Sequence, residues 1–334
     1  MITVGIEHGT TKIAFAILED NRLRKFFSLD RKLIAQKKVS ALKELENALG
    51  KLSIIDMIGI SFSMGDALSE ITPVEKVKNR GIFSTRGTGK FIGGGTQVFD
   101  EVKNFGLPAV VIPGIHRNLP CLDPRFKAAY SHHGGADKVG TAYEAFLYSK
   151  ETLKKRVQDL IVSDISSGTV TILIKNGKIF GAIDACLGAM GIYYGPLDLE
   201  TIRKIDEKEL TANEAFSLSG VQKIAGIEDK EKIIQAAVNG NLKAQLAIET
   251  LIMTVIIEIA GLTTLINKLD CIAIAGSIGI MEYPINIFEK INKSILKFGP
   301  VLKMDKTSTA VGLAKIAAAV LQRKKEILGI KIAH

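Results

Sequence analysis

Two stretches of this chain repeat one order of elements: a strand, a tight turn of glycine and hydroxyl residues, and a returning strand. The first stretch spans residues 2–18 around a turn at 7–12, and the second spans 160–174 around a turn at 164–169. A third strand, then helices and buried strands, follow each stretch. Such a duplicated order predicts an α/β protein built from two domains of the same topology.

The remaining pattern extends both halves in the same way. Continuous apolar runs are typical of strands buried on both faces, and leucines at helical spacing indicate amphipathic helices. We predict domains at residues 1–150 and 151–334, and whether the last helix crosses back to the first domain stays open. The further predicted elements are helices over 39–49, 136–150 and 308–326 and strands over 54–62, 109–112, 271–275 and 301–304.

Charge and aromatic content narrow the class of partner. The net charge is +9, but the lysines are scattered, there is no Trp, and aromatic residues make up 6% of the chain. Without aromatic side chains among the basic ones, base-stacking platforms are not expected, so we predict no nucleic-acid partner. A positive surface still attracts phosphorylated ligands.

Cysteine usage and the most apolar stretch indicate the compartment. The three cysteines form no CxxC pair and cannot all pair with one another, which argues against a disulfide framework or a zinc site and fits a reducing cytosol. The apolar stretch 247–266 carries Glu249 and Glu258 and contains Gly261. We therefore predict a long buried helix rather than a membrane span, and a cytoplasmic protein with no membrane partner.

The first turn has the composition of a phosphate-binding loop. Gly9 lets the backbone approach an anion closely, the hydroxyls of Thr10 and Thr11 and the backbone N–H groups donate to phosphate oxygens, and Lys12 adds positive charge. Glu7, at the end of the strand, is placed to hold Mg²⁺ through water. The alternative interpretation is an ordinary β-hairpin.

The second turn has the same chemistry. Asp164 ends a strand, and Ser166, Ser167, Gly168 and Thr169 follow it before the returning strand. A hairpin is again the alternative, yet two such turns opening two similar halves favour phosphate binding by both.

A third motif follows a buried strand near the C-terminus. Residues 272–275 are apolar, and Gly276 and Ser277 come directly after them. Small residues at a strand end let a flat ring lie against the backbone, so this motif is a candidate nucleoside site. Its alternative is a plain exit from strand to loop.

Together the three motifs resemble the two phosphate motifs and the adenosine motif of the actin-like ATPase superfamily, which includes acetate and butyrate kinases, sugar kinases and heat-shock chaperones. Over nearly its whole length the chain also looks like the methanogenesis-marker-twelve family of archaeal proteins. The resemblance implies an α/β fold of two duplicated ribonuclease-H-like domains around an inter-domain nucleotide cleft. It also implies ATP and Mg²⁺ in that cleft, with Asp164 and Glu7 on the metal through water. Glu7 departs from the superfamily, which usually has Asp there, and serines at 166 and 167 replace the usual glycines.

Catalytic candidates lie in the first half. Asp123 is a candidate general base or transition-state acid, although Asp123-Pro124 is also a common turn starter. Arg86 and Arg117 are candidates for binding an acceptor or stabilising phosphoryl charge. Arg86 belongs to a glycine-dense loop at 86–96, which is either a lid or a surface loop. Glycines at 188, 191 and 195 either pack near the phosphates or form an ordinary loop.

Two functions remain open at this stage. The first is an ATP-binding phosphotransferase or ATPase of the acetate- and butyrate-kinase-like type, whose acceptor would be a small carboxylate. The second is a nucleotide-sensing assembly or regulatory factor in methanogenesis with little catalysis. The resemblance to acyl kinases also implies a homodimer.

Overall fold

The structure, a computed structural model, describes residues 1–61, 67–81 and 93–333. The chain divides into two compact units, one formed by Met1–Tyr148 with Thr307–His334 and the other by Ser149–Lys306. From sequence, 151–334 was assigned to the second domain with the last helix left open. In the structure that helix belongs to the first unit.

The first unit is built on a six-stranded sheet in the order β3-β2-β1-β4-β6-β5. Strand β1 pairs antiparallel with β2 and parallel with β4, so the predicted meander forms one side of the sheet. Its strands are β1 (Ile2–His8), β2 (Lys12–Glu19), β3 (Arg22–Asp30), β4 (Met57–Ile60), β5 (Thr72–Pro73) and β6 (Ala109–Val111), with the short pairs β7 (Ile115–His116) and β8 (His132–Gly134), and β14 (Glu326–Ile327) and β15 (Ile330–Lys331). Its helices are α1 (Arg31–Ala35), α2 (Ala41–Leu49), α3 (Gly94–Phe105), α4 (Pro124–Ala129), α5 (Ala136–Leu153), which continues into the second unit, and α12 (Ser308–Leu321).

Helix α12 lies with its backbone directly on this sheet. A Cβ added to Gly5 on β1 would overlap the Ala310 carbonyl oxygen, and one added to Gly59 on β4 would overlap that of Leu313. Glycines on the two neighbouring strands therefore let the helix approach closely. The small residues Ala16, Ala310 and Ala314 complete this thin, fully buried layer.

The other face of the sheet carries the larger core. Ile and Val side chains alternate along β1 and β2 and pack with leucines of α2 and apolar residues of α3. This core includes Phe15, whose ring stacks on Phe27 with centroids 4.8 Å apart. The layer of side chains on this face is thick because it consists of branched and aromatic residues, whereas the layer under α12 consists of alanine and glycine.

The second unit is built on a five-stranded sheet in the order β11-β10-β9-β12-β13. Its first three strands pair antiparallel, and β12 pairs parallel with both β9 and β13, so it repeats the order of the first sheet. The strands are β9 (Leu160–Ile165), β10 (Thr169–Lys175), β11 (Lys178–Asp184), β12 (Cys271–Ala275) and β13 (Val301–Lys303). The helices are α6 (Leu199–Asp206), α7 (Ala212–Ser217), α8 (Val221–Ala225), α9 (Lys230–Val238), α10 (Leu242–Thr263) and α11 (Ile287–Ile295).

Helix α10 is the long apolar helix of the second unit. By length and composition alone it could cross a membrane, but it packs against β9 and β10 and against three helices, and 44% of its most apolar window is buried. Its outer face is apolar as well: the side chains of Leu242, Leu246, Met253 and Ile257 are each more than half exposed.

Several element bounds differ from the sequence prediction by two or more residues, and two of these differences have a clear local cause. The strand predicted over 54–62 begins only at Met57, because Asp56 turns its carboxylate back to accept the Ile2 N–H at 2.6 Å. Residues 62–66 lie outside the described ranges. The last helix, predicted to reach residue 326, ends at Leu321, since Arg323 adopts the left-handed conformation with φ 57°.

Candidate functional site

The first turn joins β1 to β2. A Cβ added to Gly9 would lie 2.7 Å from the Lys12 carbonyl oxygen, so glycine is needed for this close approach. The Arg31 guanidinium donates to the Gly9 carbonyl oxygen at 3.2 Å, and the Arg31 backbone N–H donates to that of Thr11 at 3.0 Å. Carbonyl groups of the turn are thus bound by Arg31, while the side chains of Thr10, Thr11 and Lys12 are exposed.

His8 ties the start of this turn to helix α3. Its Nε2 donates to the Gly95 carbonyl oxygen at 3.0 Å, and a Cβ on Gly95 would overlap the imidazole ring. Burial lowers the pKa of His8 to about 4, and the neighbouring Arg31 charge acts in the same direction. The ring is therefore neutral at physiological pH and acts as a fixed donor.

The second turn follows β9 and is more enclosed than the first. Asp164 is only 2% exposed, and the Ser166 N–H donates to the Gly168 carbonyl oxygen at 2.9 Å to close the turn. Thr169 is fully buried, and its hydroxyl donates to the Met190 carbonyl oxygen at 2.7 Å. The Thr169 hydroxyl thus supports the protein's own fold in this structure.

The third motif lies directly against the second turn. Strands β9 and β12 are parallel neighbours, so their carboxyl ends meet at one edge of the sheet. The Ser277 N–H donates to Ser166 Oγ at 3.0 Å, and the Ser166 hydroxyl lies 3.4 Å from Asp164 Oδ1. Gly276 has φ 83°, and a Cβ there would lie 2.6 Å from Asp164 Oδ1. The structure therefore brings together the predicted residues 164, 166, 168, 276 and 277.

A glycine-containing segment, residues 188–194, covers the outer side of the second turn. Gly191 packs on the Gly168 backbone so closely that a Cβ would overlap it. The segment also binds the turn's outward carbonyl groups at 2.8 to 3.1 Å. The donors are the N–H groups of Ile192, Tyr193 and Tyr194, and the acceptors are the carbonyl oxygens of Ser166 and Ser167.

The catalytic candidates are placed in different settings. Asp123 is the N-cap of α4, accepting the Arg125 N–H at 2.9 Å, and its carboxylate also pairs with the Arg125 guanidinium at 2.8 Å. Arg117 is exposed, and its backbone N–H donates to the Ser131 carbonyl oxygen at 3.1 Å. Arg86 lies outside the described residues. Asp123 thus has a structural function as a helix cap, whatever else it does.

The acids at the strand ends are the groups with the chemistry to hold a metal. Within residues 1–61, 67–81 and 93–333, no three His, Cys, Asp or Glu side chains cluster at metal-binding distances. Mg²⁺ in nucleotide sites retains several waters and needs only one or two carboxylates besides phosphate oxygens. Asp164, buried at the end of β9 beside two small-residue turns, fits that requirement, and Glu7 ends the equivalent strand β1.

Two contributors were missed by the sequence predictions: Arg31 orders the first turn, and Glu258 on α10 accepts from the segment covering the second. Ser166 was a predicted site residue, but its bond to the third motif was not predicted. Each acts through a partner distant in sequence, so local pattern gave no signal. Local sequence does carry a signal for the positive φ of Gly276, because glycine adopts that conformation at no steric cost.

Solved structures of kinases share this fold. A propionate kinase from Francisella tularensis matches with a TM-score of 0.68 at 16% identity, covering 95% of this chain and 99% of that one. An acetate kinase from Porphyromonas gingivalis gives 0.64 at 15% identity, over 96% and 99%. A ROK family glucokinase from Streptomyces griseus, solved with glucose and AMPPNP, gives 0.55 at 15% identity, over 96% and 100%. The protein therefore has the duplicated actin-like ATPase fold, as predicted.

Sequence relatives come from methanogens. A Methanothermobacter thermautotrophicus protein is 44% identical over 337 residues, 99% of this chain and 98% of the relative, and a Methanocaldococcus jannaschii protein is 46% identical over 339 residues, 99% of each. No model of a known protein family matches the chain. The chain belongs to the UPF0285 family, and the archaeal methanogen lineage implied by the sequence resemblance is confirmed.

Proposed function

We propose that this protein is an ATP-binding phosphotransferase or ATPase of the acetate- and butyrate-kinase-like type, working in the cytoplasm. The observation that supports it best is the joined pair of turns in the second unit. Two backbone turns, one after β9 and one after β12, meet through the hydrogen bond from the Ser277 N–H to Ser166 Oγ. Such a pair offers N–H groups for phosphate beside a glycine surface for a nucleoside.

The proposal gives each group a function. Gly276 and Ser277 would contact adenosine, and residues 166–169 would contact phosphate through backbone N–H groups and the Ser167 hydroxyl. Gly9, Thr10, Thr11 and Lys12 would bind phosphate oxygens as well. Mg²⁺, held by Asp164 and Glu7 through water, would supply positive charge to the phosphate oxygens. Arg86, Arg117 and Asp123 stay the catalytic candidates, and the acceptor would be a small carboxylate.

Ser167 is the hydroxyl best suited to a ligand. Among the side-chain hydroxyls of the second turn, those of Ser166 and Thr169 are engaged within the protein. Ser167, by contrast, makes no side-chain hydrogen bond to the described residues, and it is partly exposed. A donor without an internal partner is available to a phosphate oxygen.

A second function, a nucleotide-sensing assembly or regulatory factor with little catalysis, is favoured by the same geometry. The Thr169 hydroxyl is bound by Met190, and Ser166 is bound within the turns, so fewer donors remain for transition-state charge. Glu7 also carries one more methylene group than aspartate. A sensor needs only binding and a conformational response, whereas a kinase needs donors aligned on the transferred phosphoryl group.

Nucleotide binding is the first test. We expect millimolar Mg-ATP or Mg-ADP to raise the melting temperature, because a ligand at a hundredfold its Kd adds about 2.7 kcal/mol of stability. Asp164→Asn should abolish the Mg²⁺-dependent part of that shift. Asp206→Asn, which changes an exposed acid of the same unit, is the control and should behave as the unmodified protein. No shift with ATP, ADP or GTP contradicts both functions.

Turnover separates the two functions. Steady-state ATP hydrolysis should be measured with and without acetate or propionate. Turnover that disappears in Asp164→Asn and persists in Asp206→Asn supports the phosphotransferase or ATPase, and tight binding without turnover supports the sensor. The homodimer stays a prediction, which light scattering of the purified protein tests.

A further inference from the structure

Glu258 is a carboxylic acid buried inside the second unit. It projects from α10, its residue is 6% exposed, and its Oε1 accepts the Ala189 N–H at 2.9 Å. The carboxyl sits where Gly188 leaves room, since a Cβ on that glycine would overlap Oε1. Its Oε2 has no hydrogen-bond partner among the described residues. A buried carboxyl oxygen without a partner is costly, so packing alone does not explain an acid at this position.

Glu258 does not bind the covering segment alone. Thr254 lies one helical turn earlier on α10, and its hydroxyl oxygen accepts the Met190 N–H at 3.2 Å. Positions four apart project from the same face of a helix, so the two side chains together hold residues 188–190.

Segment 188–194, which begins with these residues, is also hydrogen-bonded to the second turn. The Met190 carbonyl oxygen accepts the Thr169 hydroxyl at 2.7 Å, and the N–H groups of residues 192–194 donate to the carbonyl oxygens of Ser166 and Ser167. Segment 188–194 is therefore bonded on one side to α10 and on the other to the turn. A shift of the segment on its α10 side would move the backbone that closes the turn.

We propose that Glu258 is a positioning residue for the second phosphate turn: together with Thr254 it anchors segment 188–194 to α10, and the segment holds Ser166–Gly168 in shape. The inference rests on the proposed function, because it concerns the turn assigned to phosphate. It adds to that function a side chain outside the three motifs that helps to fix the conformation of the phosphate turn.

The charge around Glu258 is consistent with a neutral anchor. Burial raises the pKa of Glu258 to about 7, while the Thr171 hydroxyl and the Ala189 N–H oppose the rise and the negative charge of Asp184 at the end of β11 adds to it. Within the described part of the chain, Asp184 is the charged group that acts on this carboxyl. No other charged group that acts on it comes from the elements that pack on α10, which are α8, α9, α11, β9 and β10. A protonated acid keeps its carbonyl oxygen as an acceptor.

Hydrogen exchange of the ligand-free protein tests the anchor. In Glu258→Ala we expect the amides of residues 189–194 and of Ser166 to exchange about tenfold faster, because the Ala189 N–H loses its acceptor and the segment that holds the turn is released on its α10 side. Thr254→Val, which keeps the side-chain volume, should give the same pattern more weakly. Glu258→Gln should restore slow exchange, since its amide oxygen still accepts from Ala189.

Leu262→Ala is the matched control, a buried change on the same helix beyond the anchor. It should lower the melting temperature without selectively releasing either segment. The Mg-ATP Kd should rise about tenfold in Glu258→Ala and stay unchanged in Glu258→Gln and Leu262→Ala.

Each outcome decides one question. Normal exchange at residues 189–194 in Glu258→Ala and Thr254→Val overturns the inference, and so does a released segment that leaves the Ser166 amide protected. An unmodified protein that binds no nucleotide overturns the proposed function, and the exchange data then still report whether the anchor acts on the turn.

Discussion

The Ser277 N–H donates to the hydroxyl oxygen of Ser166 at 3.0 Å, across 111 positions of sequence. This bond makes the second and third motifs one structural element, because each turn limits where the other can lie. A serine that replaces the glycine usual in the superfamily therefore has an internal function here. The departure from the superfamily pattern is compensated by a cross-link that glycine cannot make.

The two adjacent serines of this turn should behave differently. Ser166→Ala removes the bond to Ser277 and is expected to cost about 1 kcal/mol of unfolding free energy, with weaker nucleotide binding as a consequence. Ser167→Ala is expected to leave the unfolding free energy unchanged and to weaken only nucleotide binding. Urea unfolding and calorimetric titration with Mg-ATP measure the two quantities. Equal effects of both changes on stability would contradict this assignment.

Gly276 should tolerate no side chain. Gly276→Ala meets both a left-handed backbone and the oxygens of Ile165 and Asp164, so we expect a loss of about 3 kcal/mol or more. Gly240 has nearly the same φ, 86° against 83°, with nothing near its Cβ position. Gly240→Ala should therefore cost only about 1 kcal/mol, the conformational part. Chemical denaturation of both variants separates backbone strain from the steric overlap.

His8 should make stability depend on pH at the acid side. Its folded pKa of about 4 lies below the unfolded value of 6.5, so the unfolded chain takes up a proton first. Stability is therefore present above pH 6.5 and lost as the pH falls toward 4, by an amount on the order of 2–3 kcal/mol. His8→Gln should remove this dependence. Urea unfolding from pH 4 to 7 measures it, and parallel curves for both proteins would contradict the prediction.

Glu258 should make stability depend on pH with the opposite sign to His8. Its folded pKa of about 7 lies above the unfolded value of 4.5, so the folded protein retains a proton that the unfolded chain releases. Its contribution is full below pH 4.5 and is lost as the pH rises through 7. Glu258→Gln cannot lose a proton, so its stability relative to the unmodified protein should rise by about 2 kcal/mol between pH 4.5 and 8. A constant difference across that range would refute the assignment.

Much of the fold was predictable because its signals are local. Alternating or continuous apolar residues specify both meanders, and the second stretch, predicted over 160–174, is observed as β9 and β10 over residues 160–175. Errors in the predicted bounds arose where a single residue interrupts the pattern. Asp56 does so by accepting a hydrogen bond from the distant Ile2 N–H, and Arg323 does so by adopting a left-handed backbone conformation.

The candidate site was predictable as three separate turns and not as an assembly. Composition marks Gly168 and Gly276 as small, but only strand order brings their turns to one sheet edge. The hydrogen bonds that occupy the Thr169 and Ser166 hydroxyls also cross long sequence distances. Glu258 illustrates the limit best: in sequence it argued against a membrane span, and in the structure it holds the segment beside the second turn.

The close seating of α12 on Gly5 and Gly59 has a consequence for biosynthesis. The first unit includes α12, so one face of its sheet cannot be covered until residues 308–321 have been translated. The second unit lies entirely within Ser149–Lys306 and is complete earlier. Domains usually fold in the order in which they are translated. Here we expect the reverse order: the second unit can complete its fold before the first, whose strands β1 and β4 are covered on one face only when α12 has been translated.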